Sequence, residues 1–307
     1  MRIVFFGTPE FAVPSLRALL REGHEIVGVV TQPDRPQGRS RTQLVAPPVK
    51  AEAIANDLPV LQPDRPAGDL FAASLRRLDA ELGVVVAYGH ILRLAILETP
   101  PRGMINLHAS LLPRHRGAAP IQHALLQGDN VAGVTVMQME PGLDTGPMLH
   151  RAETPIRDSD TGGTLTARLA QLGAETLADA VSLIAADAVR PARQDDAAAT
   201  YAPKIDRAIT RIGWEAEADA ISRRVRAFDP TPGAWTRLDD QEVKLFGARP
   251  VPAHGEPGTV LAAGETLIVA AGDGAVELRE VQSAGGRRIP VRSWVNGRGV
   301  MVGARLG

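Results

Sequence analysis

Cysteine is absent from the 307 residues. That excludes a disulfide framework, a cysteine-bearing zinc finger and a thiol nucleophile, and it accords with a reducing compartment. Net charge is also nearly absent, with 34 Lys and Arg against 35 Asp and Glu. Overall charge therefore neither favours nor excludes a nucleic-acid partner, and the distribution of charge along the chain has to decide. No run reaches the roughly 18 apolar residues of a membrane-spanning helix. The start, Met1-Arg2-Ile3-Val4-Phe5-Phe6, leads straight into an apolar strand and shows no signal-peptide pattern, so a soluble cytoplasmic protein is expected. The histidines show no His-Glu-x-x-His or comparable ligand spacing, and no metal site is expected.

At this length two domains are expected, each able to bury its own core. Arg2 to Phe6 reads as a buried strand, with Thr8-Pro9-Glu10 opening a helix through a capping hydroxyl. A second buried strand, Glu25 to Thr31, makes the opening a βαβ unit on a parallel sheet. Its first turn, Gly7-Thr8-Pro9, lacks the Gly-x-Gly-x-x-Gly glycines that let backbone approach a pyrophosphate. The expectation is a Rossmann-like sheet without nicotinamide. Helices follow over Pro47 to Asn56 and Gly68 to Leu78, then a strand over Gly83 to Tyr88 that leaves His90 lining the crevice at its carboxyl end.

The chain is organised around the stretch from Met104 to Pro120. The apolar run Met104-Ile105-Asn106-Leu107-His108 reads as a buried strand, and because strand side chains alternate, Asn106 and His108 face one space. Strand, polar pair, irregular loop and a helix opened by Pro120 is how an open α/β sheet builds a site at its carboxyl edge. An amide that never titrates beside an imidazole that does suits a carbonyl whose oxygen turns negative during attack. A third polar group, Asp144, lies between glycines in Pro141-Gly142-Leu143-Asp144-Thr145-Gly146-Pro147, where backbone can approach a ligand closely. Spacing alone leaves a second reading open: a satisfied polar pair in the core and an aspartate that forms a turn.

Asn106-Leu107-His108-Ala109-Ser110-Leu111-Leu112-Pro113, followed by Arg114 and Arg116-Gly117-Ala118-Ala119-Pro120, resembles the signature of the folate-dependent formyltransferases. Gly142-Leu143-Asp144-Thr145-Gly146 resembles that family's second loop. The resemblance implies that Asn106, His108 and Asp144 are catalytic, and that Ser110, Leu111, Leu112 and Pro113 lie against 10-formyltetrahydrofolate, the formyl donor. His115 stands where relatives often carry Trp.

The segment Gln32 to Gln43 holds three arginines and no apolar side chain, so it cannot bury a face and is expected to be exposed and mobile. In the branch of the family that acts on aminoacylated initiator tRNA, a similar loop wedges into the acceptor end. The resemblance assigns Arg35, Arg39 and Arg41 to tRNA, with Ser40 and Thr42 where relatives often carry Gly and Lys.

Gly162 to Ala186 reads as a long amphipathic helix. Composition then turns polar and alanine-rich, and short strands with frequent Gly and Pro follow a helix over Glu217 to Ala227, including one over Ala275 to Val281. That spacing is of a small all-β barrel. The expected division is a catalytic α/β domain over 1–188, a linker over 189–206 and an OB-like barrel over 207–307. After Glu280 the tail holds Arg287, Arg288, Arg292, Arg298 and Arg305 but no acid, and Arg223, Arg224 and Arg226 add to an expected basic surface for a phosphate backbone. Tyr201 to Ile205, Arg226 to Pro230 and Gly303 to Gly307 resemble the carboxyl domain of the same branch. The resemblance thus implies a monomeric enzyme that formylates the α-amino group of Met on initiator tRNA. The rivals are a formyltransferase for a small amine, such as glycinamide ribonucleotide or an amino sugar nucleotide, and a non-catalytic nucleic-acid-binding protein.

Overall fold

The structure, a computed structural model, describes residues 1–37, 43–297 and 299–307. It divides into two compact units, one of residues 1–117, 132–154 and 166–201, the other of residues 118–131, 155–165 and 202–307. Relative to a single cut near residue 188, the second unit takes in two earlier segments, among them the helix that Pro120 opens.

Up to residue 185 the chain runs β1 (Arg2–Gly7), α1 (Val13–Arg21), β2 (Glu25–Val30), β3 (Arg35–Gln37), β4 (Gln43–Val45), α2 (Pro48–Ala55), β5 (Val60–Leu61), α3 (Asp69–Arg77), β6 (Leu82–Val86), α4 (Leu94–Leu97), β7 (Met104–His108), α5 (Pro120–Gln127), β8 (Val131–Gln138), β9 (Met148–Pro155) and α6 (Gly162–Ala185). Seven strands form one sheet in the order β5-β2-β1-β6-β7-β8-β9. The first five are mutually parallel and β8 turns antiparallel to β7. The strand order reverses between β1 and β6, which opens a crevice at their carboxyl ends. Both faces are covered at the centre of the sheet, which is why β1 and β6 are apolar along almost their whole length and do not alternate. On one face Val4, Phe6, Val30 and Val85 pack with Phe71 and Leu75 of α3. On the other, α1 and α6 meet through Ala18, Ala174 and Ala178.

Two local expectations change. Thr8 caps no helix: its hydroxyl donates to the Tyr88 carbonyl at 2.9 Å, a short 3-10 turn covers Glu10–Ala12, and α1 starts only at Val13. The hydroxyl is drawn by a carbonyl at the end of β6, a partner far away in sequence. The arginine-bearing segment, expected to be without regular structure, includes strand: β3 and β4 pair antiparallel with Arg35 opposite Val45.

The second unit continues with α7 (Ala218–Ala227), β10 (Ala234–Leu238), β11 (Gln241–Phe246), β12 (Arg249–Val251), β13 (Val260–Ala263), β14 (Leu267–Ala270), β15 (Ala275–Leu278), β16 (Glu280–Ser283), β17 (Ile289–Pro290) and α8 (Val291–Asn296). Two antiparallel sheets result, β10-β11-β16-β17 and β12-β15-β14-β13. The single strand expected over 275–281 is split into β15 and β16. At Arg279, whose N–H donates to the Phe246 carbonyl at 3.1 Å, the chain leaves one sheet for the other. Its neighbour makes the same move at Gly247, where φ is +65°. The closing residues join the sheets again: Leu306 bridges to Leu238 at the end of β10, and Arg305 to Thr259 beside β13. The unit is thus barrel-like, filled by Val243, Leu245, Val260, Leu267, Val269, Leu278 and Val281. From α7, which presents Ile221 and Val225 inward, the Ser222 hydroxyl donates to Ala248 at the corner.

Three arginines of the expected basic surface have acidic partners, and two more bond backbone carbonyls. Arg288 pairs with Asp229 and Glu280, Arg292 with Glu265, and Arg305 with Glu256. Arg224 donates to the carbonyls of Ile209 and Arg211, and Arg226 to that of Asp160. The acids that pair with the tail arginines all lie earlier in the chain, where a count of the tail does not reach them. Arg298 lies outside the described residues.

Candidate active site

The site lies in the first unit and is built from β7 outward. Asn106 and His108 stand two apart on this strand, opposite Met137 and Thr135 of β8. Thr135 is fully buried, and its hydroxyl donates to the Ser110 carbonyl at 2.7 Å and accepts the Leu112 N–H at 3.1 Å. One side chain of β8 thereby folds the segment after β7 back onto the sheet. The Ser110 hydroxyl donates to the Arg114 carbonyl at 2.6 Å, Leu112 is buried, and Leu111 lies over Gly133. The conformation of Ser110 to Pro113 is thus set within the protein, before any ligand arrives.

His108 is 6% exposed. Its Nε2 lies 2.9 Å from the His115 carbonyl, and since a carbonyl only accepts, Nε2 carries the proton. The other ring nitrogen, Nδ1, is left for chemistry, and it lies 3.7 Å from Asp144 Oδ2. That carboxylate oxygen also accepts the Gly117 N–H at 2.8 Å. Nothing among the described residues hydrogen-bonds the Asn106 side chain, which is half-buried at the edge of the same space. A neutral donor without a protein partner, an imidazole with one nitrogen committed and a carboxylate facing the other are what attack on a carbonyl needs.

Asp144 sits at φ +55°, in left-handed backbone. The expectation that its flanking glycines allow a ligand close needs correction at Gly146. A Cβ there would lie 1.8 Å from the Gln138 carbonyl oxygen, so the glycine lets the loop cross the end of β8. Two further residues hold the loop, and sequence reasoning gave them no role. Gln194 Nε2 donates to the carbonyls of Asp144 and Gly146, each at 2.8 Å. Arg116, buried, donates to Gln194 Oε1 from Nε at 3.0 Å and Nη2 at 2.8 Å. Gln194 falls in the segment read as a linker. There Ala192 bridges to Met148, and Thr200 accepts N–H groups at its hydroxyl from His115 and at its carbonyl from Arg116.

The family described as formyl transferase matches residues 1–181, and the formyl transferase C-terminal domain matches residues 204–299. A methionyl-tRNA formyltransferase of Stenotrophomonas maltophilia is 51% identical over 302 residues, 97% of this chain and 98% of that protein. One from Thiobacillus denitrificans is 47% identical over 311 residues and the full length of both. The chain belongs to the methionyl-tRNA formyltransferase family. Among solved structures, HypX of Aquifex aeolicus in complex with tetrahydrofolic acid shares the fold, with a TM-score of 0.68 and 20% identity over 97% of this chain. The chain spans about half of HypX, 47% of its length.

The remaining expected residues of this family member are placed as follows. Arg35 is exposed and donates to Gln32 Oε1, while Gln62 and Lys50 hold Asp34 beside it, at 2.8 and 2.7 Å. Those two contacts, the Gln62 hydrogen bond foremost, hold the Asp34 carboxyl below the usual carboxylate range. Arg39 and Arg41 lie outside the described residues. His90 is exposed beside the buried Tyr88 ring, and burial raises the Tyr88 phenol to a pKa of about 12. Among the described residues no group of three or more His, Asp and Glu side chains is placed to hold a metal ion, and no helix is long and apolar enough to cross a membrane.

Proposed function

We propose that this chain transfers the formyl group of 10-formyltetrahydrofolate to the α-amino group of methionyl initiator tRNA. The observation that carries the chemistry is the approach of His108 Nδ1 to Asp144 Oδ2, 3.7 Å apart, on the same side of β7 as the Asn106 amide. The acceptor is supported by the names of the relatives that match the full chain, and the donor by the tetrahydrofolate in the HypX structure. A half-buried amide without a partner among the described residues, beside the Ser110 to Pro113 turn, fits a carbonyl-bearing ligand.

An α-amino group has a pKa of about 8, so a useful neutral fraction attacks without strong activation. As the new carbon–nitrogen bond forms, the formyl oxygen gains negative charge and the amine nitrogen positive charge. Asn106 donates to that oxygen. His108 cannot do so from Nε2, which the His115 carbonyl holds. Nδ1 and Asp144 instead take the proton that the amine loses, and return one to the departing nitrogen when the original carbon–nitrogen bond breaks. Arg35, Arg39 and Arg41 serve the acceptor end of the tRNA, and the catalytic region 1–188 is joined through 189–206 to a tRNA-holding region, 207–307. The enzyme works as a monomer in the cytoplasm, where charged initiator tRNA is found.

The test is formyl transfer from 10-formyltetrahydrofolate, run in parallel on Met-charged initiator tRNA, Met-charged elongator tRNA and glycinamide ribonucleotide. Transfer confined to the initiator is expected. Turnover of the small amine with none on tRNA would overturn the assignment.

A further inference from the structure

A carboxylate on a glycine-flanked loop, in left-handed backbone, is poorly placed to face an imidazole unless something fixes the loop. Gly117 grips the Asp144 carboxylate through its N–H, at 2.8 Å. The backbone of the loop is gripped from the other side by Gln194, whose amide nitrogen bonds the carbonyls of Asp144 and Gly146. A free glutamine amide could turn either end toward these carbonyls. Arg116 removes that choice, because a guanidinium only donates and so fixes the oxygen toward itself and the nitrogen toward the loop. Arg116 has its side chain 3% exposed, and Nη2 also reaches Asp196, itself 83% exposed, at 2.8 Å. Arg116 and Gly117 are adjacent, so two consecutive residues hold Asp144 from both sides, one directly and one through Gln194.

We propose that Gln194, oriented by Arg116, is a positioning residue that holds Asp144 against His108 for proton transfer. The role in turnover rests on the function proposed above. The geometry of the grip does not.

Gln194→Glu separates positioning from stability. The carboxylate keeps the acceptors for Arg116 and adds a second countercharge to that of Asp196, but it presents an oxygen to two carbonyls where an N–H stood. Folding and Tm are expected to hold while kcat falls about 10- to 100-fold, since a misplacement of about 1 Å near reacting groups costs on the order of 10² in rate. The KM values for donor and charged tRNA should stay within about threefold, because the group lost acts on proton transfer and not on binding. Arg116→Lys keeps the charge without the fork and should give the same split with a smaller loss. In an Asp144→Asn background, Gln194→Glu should add no more than about twofold, since both act through one carboxylate.

A second readout uses no substrate. By NMR hydrogen exchange, the Gly117 amide should exchange faster in Gln194→Glu than in the wild type, approaching its rate in Asp144→Ala. Unchanged Gly117 exchange, or kcat losses that multiply with Asp144→Asn, would overturn the positioning role. If the wild type formylates no acceptor while Gly117 responds as expected, the functional assignment fails and the positioning of Asp144 stands.

Discussion

Gly146→Ala tests how the Asp144 loop is held, and its consequences follow from one distance. The added Cβ would lie 1.8 Å from the Gln138 carbonyl oxygen and 3.0 Å from its carbon. The obstacle is backbone at the end of β8, which cannot swing aside as a side chain would. The loop must therefore retreat by more than about 1 Å, the scale on which misplacement costs on the order of 10² in rate. The retreat also pulls on the hydrogen bond from Gln138 N–H to the Pro147 carbonyl at 2.9 Å and on both bonds from Gln194. Overpacking of this kind costs about 1–3 kcal/mol. Urea unfolding should show that loss, and single-turnover transfer at saturating donor and charged tRNA should fall about 100-fold. Gly264→Ala is the control: nothing among the described residues lies within 4 Å of its added Cβ. It should be neutral or stabilising by about 0.4–1 kcal/mol, through the unfolded chain. Wild-type stability and turnover in Gly146→Ala would refute the account of the loop.

Other consequences concern buried polar groups. Tyr88 is 1% exposed, its hydroxyl has no partner among the described residues, and burial raises its pKa to about 12. Because the unfolded chain releases that proton first, near pH 10, stability is full below pH 10 and is lost as pH rises toward the folded value. Tyr88→Phe should gain about 1 kcal/mol at pH 7 by removing an unsatisfied hydroxyl, and urea titrations should show a shallower decline above about pH 10 than in the wild type. Glu277 in the barrel-like unit is 7% exposed and held by Arg249 at 2.8 and 2.7 Å. Those hydrogen bonds keep its carboxyl below the usual range, so the stability they add is present above the unfolded pKa and lost as pH falls through the folded one. Glu277→Gln should flatten the acid limb of the stability profile; an unchanged limb would mean that this pair does not report folding of the barrel-like unit.

What was legible in the sequence was mainly what periodicity and turn chemistry encode. The apolar run into Asn106 and His108 gave β7 and its shared face, and Pro120 marked the start of α5. Asp144 and its glycines were visible as a loop, but not the reason for Gly146, because the crossing carbonyl of Gln138 appears only once β8 is in place. Gln194 carried no signal at all: its partners lie 48, 50 and 78 residues away, in a segment whose alanine-rich composition reads as a linker. The partners of Thr8 and of the tail arginines were hidden for the same reason, since Tyr88, Asp229, Glu256 and Glu265 reach them only through tertiary structure.

The central claim is that Asn106 stabilises the oxyanion of formyl transfer beside the His108 and Asp144 pair. The most direct measurement is kcat and KM of Asn106→Ala on Met-charged initiator tRNA, with folding checked by urea titration. By comparison with removal of an oxyanion-hole donor elsewhere, kcat should fall about 10²- to 10³-fold with the fold intact and KM little changed. Wild-type kcat in this variant would contradict the account and remove Asn106 from the chemistry.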